Sequence, residues 1–270
     1  MKYFNHCLPD VKKQLRVAGG YILISDFDGT LAPIARTAVM ASLPKETKGI
    51  LVNCLKFFPV VIVSGRSLSS LKEKVGLAGL IYAGNHGLEW QIGGKSYRSK
   101  ISKEVRQALA TVKRKLLVIL SKYPGATLED KRMTYAIHFR MLREQKVKKF
   151  EKEVEEVIKP VLQDNLALTE DNKTFELRPK AGWTKGDFVN FILEHLRLKS
   201  GRRFLPIYIG DALTDEDVFK NVKNIVGIKV GKDNKSAARY YIRNQKQVNE
   251  VLRWLVQEGN SLGNPKQGKT

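Results

Sequence analysis

Four short apolar runs, each followed by a small or acidic residue, constrain the fold more than any other feature. They are Tyr21 to Ser25, Val60 to Val63, Leu80 to Ala83 and Pro206 to Ile209. Runs of this length and composition are typical of buried strands. Helical patterns lie between or before them, at Lys45 to Phe57, Leu68 to Val75 and Lys185 to Leu198. This alternation is typical of βαβ crossovers, so we predict an α/β core built on a parallel sheet.

A second pattern occupies the middle of the chain. A helical stretch from Ser102 to Tyr123 is followed by two strand-like runs, and a charged helix from Glu144 to Leu162 is followed by two more. This pattern is a helix-strand-strand unit that occurs twice, with turn residues between the two strands of each unit. We therefore predict a core of residues 1–96 and 181–258, an inserted α+β domain of residues 97–180, and a disordered tail of residues 259–270.

Two acids directly follow the first apolar run. Strand residues alternate sides, so Asp26 and Asp28 can project together while Phe27 faces the core and Gly29 bends the chain. Converging carboxylates repel unless a cation or a shared proton compensates them, which favours a metal site or an acid/base pair. An ordinary turn at the end of a strand is the structural alternative. Ser64 and Asp211 also follow predicted strands, at the edge where such sheets place their sites.

Composition restricts the setting of the protein. No apolar run approaches the roughly 18 residues of a membrane span, and Met1 to Gly20 lacks the apolar stretch of a secretory signal. Cys7 and Cys54 are too few for a disulfide framework, so we expect a cytoplasmic protein. The formal charge of +21 is spread along the chain. This spread favours basic helix faces over a dedicated nucleic-acid surface, although the purpose of the charge stays open.

Four ordered motifs resemble those of the haloacid dehalogenase superfamily of phosphohydrolases: Asp26 with Asp28, Ser64-Gly65-Arg66, Lys185-Gly186, and Gly210-Asp211 followed by Thr214 to Asp217. The segments Asp26 to Pro33, Gly84 to Glu89 and Tyr208 to Lys220 are similar to trehalose-6-phosphate phosphatases. Residues 126–140 and 176–187 are similar as well, so the resemblance nearly spans the chain. It implies a Rossmann-like parallel-sheet hydrolase core with an inserted α+β cap domain.

The resemblance also implies a mechanism for hydrolysing a phosphate monoester. Asp26 would attack phosphorus and form an aspartyl-phosphate, while Asp28 would protonate the leaving oxygen and then activate water. The cofactor would be Mg²⁺, held by the Asp26 carboxylate, the Asp28 backbone carbonyl and Asp211. Asp215 would orient the waters of the metal or bind it directly.

Other residues would bind the phosphoryl group and the sugar. Ser64 would donate a hydrogen bond to the phosphoryl group, Lys185 would supply positive charge, and Thr30 would complete the phosphate site. The resemblance places the remaining substrate-binding candidates at Arg66 and His86 in the core and at Glu129, Lys131, Arg140, Glu176 and Lys180 in the cap.

The cap candidates have a structural alternative, which is an exposed ion-paired sheet face. His138 alternates with apolar neighbours, so we expect a structural role for it. One departure from the family is Ala212, which stands where a second acid usually follows the Gly-Asp of the last motif.

The expected activity is therefore Mg²⁺-dependent hydrolysis of trehalose 6-phosphate. A phosphatase of another glycosyl phosphate, such as mannosyl- or glucosyl-3-phosphoglycerate, would need the same core and a differently lined cap. A basic nucleic-acid-binding protein with a silent hydrolase fold is the alternative from another class. Neither a membrane nor a nucleic acid is an expected partner, and the sequence leaves open whether a cognate trehalose-6-phosphate synthase binds the chain.

Overall fold

The structure is a computed structural model that describes residues 1–35, 40–162, 165–171, 173–180 and 182–263. It contains two compact units. The first combines Met1–Tyr97 with the chain from Trp183 onward, and the second is Arg98–Gly182. These boundaries lie within two residues of those predicted.

The strands of the described residues, in chain order, are β1 (Lys2–Tyr3), β2 (Tyr21–Ser25), β3 (Val60–Val63), β4 (Ile81–Gly84), β5 (Glu89–Ile92), β6 (Lys95–Arg98), β7 (Thr127–Asp130), β8 (Tyr135–His138), β9 (Leu166–Asp171), β10 (Thr174–Pro179), β11 (Leu205–Gly210), β12 (Val226–Val230) and β13 (Tyr240–Ile242). The α-helices are α1 (Leu8–Ala18), α2 (Lys45–Cys54), α3 (Leu68–Val75), α4 (Lys103–Leu120), α5 (Glu144–Leu162), α6 (Lys185–Ser200), α7 (Glu216–Asn221) and α8 (Val248–Ser261).

The first unit is built on one mixed sheet. Its strand order among the described residues is β1-β13-β12-β11-β2-β3-β4-β5-β6. In this order, each strand from β1 through β13, β12, β11, β2 and β3 to β4 is parallel to the next one. Strand β5 is antiparallel to β4. The chain winds outward in both directions from β2, which lies between β11 and β3. A ligand site is expected outside the carboxyl ends of the strands at such a switch point.

Successive side chains of a central strand point to opposite faces of the sheet, and helices cover both faces. On β2, Leu23 packs on one side with residues of α1, α2 and α8. Ile22 and Ile24 pack on the other side with Phe188 of α6 and Val218 of α7. Because both faces are buried, β2 does not alternate with polar residues and is apolar up to its last residue, Ser25. The unit is a helix-sheet-helix sandwich.

The second unit is an antiparallel sheet of order β7-β8-β10-β9 covered on one face by α4 and α5. The apolar stripe of α4, from Val105 to Ile119, and that of α5, from Val147 to Ile158, pack on Ile137, Phe175 and Leu177. The other face carries polar side chains. The predicted α/β core with an inserted α+β unit is confirmed.

Two of the differences from the prediction concern where an element ends. Helix α2 ends at Cys54 and not at Phe57, since the residue before Pro59 is disfavoured in the helical region and the chain turns before it. The predicted disordered tail begins too early, because α8 includes Gly259–Ser261. A β-carbon at Gly259 would lie 2.8 Å from Cβ of Phe57, so glycine permits close packing there. Residues 264–270 of that predicted tail lie outside the described residues.

No helix in the described part of the chain combines the length and the apolar character needed to cross a bilayer.

Candidate active site

Asp26 and Asp28 lie where β2 leaves the sheet. The Asp26 N–H donates to Ile209 O at 2.9 Å, so pairing with β11 continues one residue beyond the strand. Asp26 is buried, and Phe27 between the two acids is fully buried in the core. Gly29 has φ of 82°, and a β-carbon there would overlap the Asp211 carboxylate. Only glycine permits this close approach of the loop to the end of β11.

Three carboxylates converge at the ends of β2 and β11. Oxygen atoms of Asp26, Asp211 and Asp215 lie within 4.8 Å of one another. The Thr30 hydroxyl donates to Asp211 Oδ1 at 2.9 Å, which orients that carboxylate. Gly210 is also required, since a β-carbon there would overlap the Asp215 carboxylate. The predicted convergence of acids from separate strands is present in the structure.

Lys185 provides the positive charge of this cluster. Its Nζ lies 2.7 Å from Asp26 Oδ1 and 2.7 Å from Asp215 Oδ1. Burial lowers the pKa of Lys185, but Asp215 and Asp26 outweigh this effect, and the pKa is raised. Lys185 therefore stays charged. Its place at the start of α6 is fixed by a capping box formed by Thr184 and Asp187.

The negative charge of the three acids nevertheless exceeds the positive charge of Lys185. Burial raises the pKa of Asp26 well above its usual range, opposed by Lys185 and reinforced by the negative charges of Asp215 and Asp211. Burial and Asp215 likewise raise the pKa of Asp211, opposed by the Thr30 hydrogen bond. One ammonium group facing three carboxylates leaves negative charge in excess. Hard oxygen donors with such an excess fit a divalent cation such as Mg²⁺.

Asp215 is the most constrained of the three acids. Its Oδ1 accepts from Lys185 and from the Tyr208 hydroxyl at 2.6 Å, and its Oδ2 accepts from Ala212 N at 2.8 Å. Burial and the charge of Asp215 raise the pKa of Tyr208 well above its usual range, so the phenol stays a donor. A carboxylate offers about four acceptor positions, and three are occupied here.

Asp28 contacts a different partner. The guanidinium of Arg66 donates to both of its oxygens, from Nε to Oδ2 and from Nη2 to Oδ1, each at 2.6 Å. The Arg66 side chain is buried against the Phe27 ring, whereas that of Asp28 is 39% exposed. A bidentate pair of this kind is among the stronger charge-assisted contacts. Asp28 is thus held at the surface of the site, where it is accessible to a ligand.

Ser64 and His86 belong to adjacent loops that follow β3 and β4. The Ser64 hydroxyl accepts from Arg66 N at 3.2 Å, and the Ser64 carbonyl accepts from His86 N at 3.0 Å. Asn85, His86 and Gly87 all have positive φ, at 49°, 59° and 101°. Consecutive left-handed residues cost free energy and are frequent at functional sites.

Glu89 holds these two loops together. One oxygen of its buried carboxylate accepts from Leu68 N and from Asn85 Nδ2, both at 2.8 Å. The strained loop at His86 is therefore braced by the start of α3. The structure thus joins the predicted motif of Ser64 and Arg66 with His86 in one hydrogen-bonded assembly.

In the second unit, three sugar-binding candidates share the polar face of the sheet. Glu129 and Glu176 both pair in register with Ala136, and Lys131 Nζ lies 2.9 Å from Glu176 Oε1. Lys131 is only 8% exposed, whereas the Glu129 side chain is 32% exposed, so this face is ion-paired and only partly solvated. Arg140 and Lys180 are exposed and lie just beyond the ends of β8 and β10, respectively.

His138 also lies on this polar face, and the expectation of a purely structural role was based on its apolar sequence neighbours. Its ring nitrogens lie 2.9 Å from Glu129 Oε2 and 3.2 Å from Thr174 Oγ1, and the side chain is 34% exposed. The alternation of β8 turns Ile137 toward the helices and His138 away from them. His138 thus joins the candidates at Glu129.

Two residues of the site escaped prediction. Tyr208 and Lys229 both lie within strands that read as apolar, yet each contacts the loop after β11 or its acids. The available signal was a single lysine inside the otherwise apolar stretch Val226–Val230.

The fold and site together define an α/β core with an inserted α+β unit and with the nucleophile candidate at the switch point of the sheet. Comparison with known proteins gives the family. The family described as trehalose-phosphatase matches residues 24–250, and the chain belongs to it.

Two plant proteins and one fungal structure illustrate the relationship. Trehalose-phosphate phosphatase B of Arabidopsis thaliana is 31% identical over 253 residues, covering 87% of this chain and 66% of the relative. The probable trehalose-phosphate phosphatase I of the same plant is 34% identical over 254 residues, covering 87% and 67%. The chain thus spans about two thirds of the length of the curated relatives it matches.

The C-terminal domain of the C. albicans trehalose-6-phosphate phosphatase superposes with a TM-score of 0.80 at 20% identity, covering 92% of this chain and 96% of that one. At this identity the structural likeness shows the fold alone.

Proposed function

We propose that this chain hydrolyses trehalose 6-phosphate to trehalose and phosphate through an aspartyl-phosphate on Asp26. The observation that carries the proposal is the buried Asp26 carboxylate, bonded to Lys185 at the switch point of the sheet and facing the acids of Asp211 and Asp215. Family membership supports the substrate, because the curated relatives are named as trehalose-phosphate phosphatases.

Asp26 is suited to act as the nucleophile. Lys185 binds its Oδ1, so Oδ2 can be directed at phosphorus while the carboxylate keeps a fixed orientation. A positive charge beside the attacking oxygen also reduces its repulsion from an anionic phosphate. Lys185 therefore orients the nucleophile and attracts the phosphoryl group.

Asp28 is suited to proton transfer because it is the more exposed of the first two acids. It would protonate the departing sugar oxygen and then accept a proton from the water that hydrolyses the intermediate. Arg66 occupies both oxygens of Asp28 in this structure. Each oxygen accepts one hydrogen bond from Arg66, which leaves each a second lone pair that can carry a proton.

Mg²⁺ is the cation that we propose for the excess negative charge. Asp26, Asp211 and the Asp28 carbonyl would hold it, and its chemistry there is to neutralise charge between the nucleophile and the phosphate. Asp215 has three of its acceptor positions occupied by Lys185, Tyr208 and Ala212, which favours a role in orienting the site over direct coordination.

The remaining assignments concern the phosphate and the sugar. Ser64 follows β3, and we propose that its hydroxyl donates to the phosphoryl group. The Thr30 hydroxyl has a single proton, which it donates to Asp211 Oδ1 in this structure. Thr30 would therefore bind the phosphoryl group only in place of that contact. Arg66 and His86 in the first unit would contact the substrate as well. The polar face with Glu129, Lys131 and Glu176, together with Arg140 and Lys180, stays our prediction for sugar recognition by the inserted unit.

The test is phosphate release from a panel of glycosyl phosphates, with Mg²⁺ or with a chelator. We expect trehalose 6-phosphate to give the highest kcat/KM and release to require the metal. The Asp26→Asn variant should be inactive, whereas Asp10→Asn on the exposed face of α1 should match the wild type. Equal or faster turnover of mannosyl- or glucosyl-3-phosphoglycerate would refute the substrate, and retained turnover in Asp26→Asn would refute the nucleophile.

We further propose a cytoplasmic location, supported by two buried cysteines that are both free thiols, Cys7 and Cys54. A synthase that makes trehalose 6-phosphate would then be the source of the substrate, whether or not it binds this chain.

A further inference from the structure

Lys229 is a buried lysine near the carboxyl end of β12. It lies on β12 directly opposite Gly210 in the pairing with β11, and only 6% of its surface is exposed. Its Nζ donates to the carbonyl oxygen of Asp211 at 2.6 Å and lies 3.3 Å from that of Ala212. The side chain thus reaches the loop that carries one acid of the active site.

Lys229 forms an ion pair with Glu216. Glu216 Oε1 lies 3.7 Å from Nζ, too long for a hydrogen bond, while Glu216 Oε2 accepts from Ala237 N at 2.8 Å. A buried ammonium group is costly unless hydrogen bonds replace its hydration. Here the short bonds are made to backbone carbonyls of the 211–212 loop. The geometry therefore connects Lys229 to that loop more closely than to its ionic partner.

The two sides of one peptide group are held by two different residues. The carbonyl of Asp211 and the N–H of Ala212 belong to the same planar unit and point in opposite directions. Lys229 binds the carbonyl at 2.6 Å, and Asp215 Oδ2 accepts from the N–H at 2.8 Å. Fixing both ends of this plane fixes the backbone on the C-terminal side of Asp211. Gly210, on the N-terminal side of Asp211, is held by its pairing with Lys229 in the sheet. With both flanks of Asp211 held, the direction in which its side chain leaves the backbone is constrained.

We propose that Lys229 is a positioning residue that holds the Asp211 carboxylate in its metal-binding orientation. Thr30 fixes the same carboxylate from the other side, through its 2.9 Å hydrogen bond to Oδ1. The inference rests on the proposed function only where that function names Asp211 as a ligand of Mg²⁺. Residues that orient metal ligands typically change metal affinity by about 10–100-fold when they are replaced.

The experiment measures Mg²⁺ binding to the full chain without substrate, by titration calorimetry and by the Mg²⁺-induced rise in Tm. Lys229→Met should weaken binding by about 10–100-fold. Glu216→Gln keeps the carbonyl hydrogen bonds, and Lys220→Met removes an exposed lysine from α7. Both should stay within about 2-fold of the wild type, because neither removes a contact to the Asp211 loop.

Lys229→Met leaves Glu216 buried and without its counter-charge, so the double variant Lys229→Met/Glu216→Gln guards against a failure to fold. Wild-type affinity in that double variant would overturn the proposal. A loss in Glu216→Gln as large as that in Lys229→Met would also overturn it, since the ion pair and not the carbonyl contact would then matter. At saturating Mg²⁺, we expect Lys229→Met to recover kcat with KM for the substrate unchanged.

The outcome is independent of the proposed substrate. A chain that binds Mg²⁺ as described but does not hydrolyse trehalose 6-phosphate would refute the proposed function and leave the role of Lys229 intact.

Discussion

Replacing Lys185 by methionine should destabilise the metal-free protein severely. Methionine has a similar length but no charge, and the wild-type ammonium lies 2.7 Å from two carboxylates that are at most 6% exposed. Removing one partner of a buried ion pair costs about 3–5 kcal/mol. Because both contacts share a single charge, this cost is counted once. For a unit of this size, the corresponding decrease in Tm is about 6–20 °C.

The assay is urea and thermal unfolding at neutral pH in a chelator, followed by circular dichroism. Arg253→Met is the matched control, because Arg253 pairs with Glu46 on the surface of the same unit and such pairs contribute about 0–1 kcal/mol. Adding Asp26→Asn to Lys185→Met should restore part of the loss, since it removes one uncompensated charge. A loss no larger than that of Arg253→Met, or a double variant no more stable than Lys185→Met, would refute the reasoning.

Three further results are expected. Because the folded-state pKa values of Asp26 and Asp211 are raised, the folded state binds more protons than the unfolded state above the ordinary carboxyl range. The Tm of the metal-free protein should therefore fall as pH rises through the raised values, and the gain in Tm on adding Mg²⁺ should grow over the same interval. Gly87→Ala should lower the free energy of unfolding by about 1–3 kcal/mol, as judged by urea titration, because φ is 101° and the new β-carbon would lie 2.5 Å from Cβ of Phe188. Tyr208→Phe removes a buried hydrogen bond to a carboxylate and should cost about 1.5–3 kcal/mol in the same assay; an unchanged midpoint in either variant would contradict its prediction.

The core of the fold was predictable because its signal is local. Each central strand is a short apolar run that ends in a polar residue, and parallel strands place those ends at one edge of the sheet. The convergence of Asp26 and Asp211 followed from that rule. Strands β1, β5, β6, β12 and β13 were not predicted. Strands β1 and β13 are very short, and polar residues or a glycine interrupt the apolar pattern of β5, β6 and β12.

The partners of the acids were harder to predict, because they depend on contacts between distant parts of the chain. Lys185 meets Asp26 across 159 residues, and only the family resemblance connected them in sequence. For Lys229 and Tyr208, nothing in the sequence indicated that they contact Asp211 and Asp215, respectively. Periodicity indicates which positions are buried, but it does not tell which buried polar group meets which carboxylate.

The second unit shows the same limit. Alternation placed Glu129 and Lys131 on one face, and the structure agrees that Lys131 reaches Glu176 on that face. It did not predict the partners of His138, whose neighbours in sequence are apolar but whose neighbours in space are Glu129 and Thr174. Side chains of adjacent strands decide the environment of such a residue.

The most direct test of the account is to trap the phosphoryl group on the protein. The Asp28→Asn variant, given Mg²⁺ and 4-nitrophenyl phosphate, should still be phosphorylated, because the nitrophenolate leaves without a proton donor, but it should hydrolyse the intermediate slowly. Peptide mapping after an acid quench should locate the phosphoryl group on Asp26, and the Asp26→Asn/Asp28→Asn variant should carry none. A phosphoryl group on Ser64 or Asp211, or turnover that persists in the double variant, would contradict the assignment of Asp26 as the nucleophile.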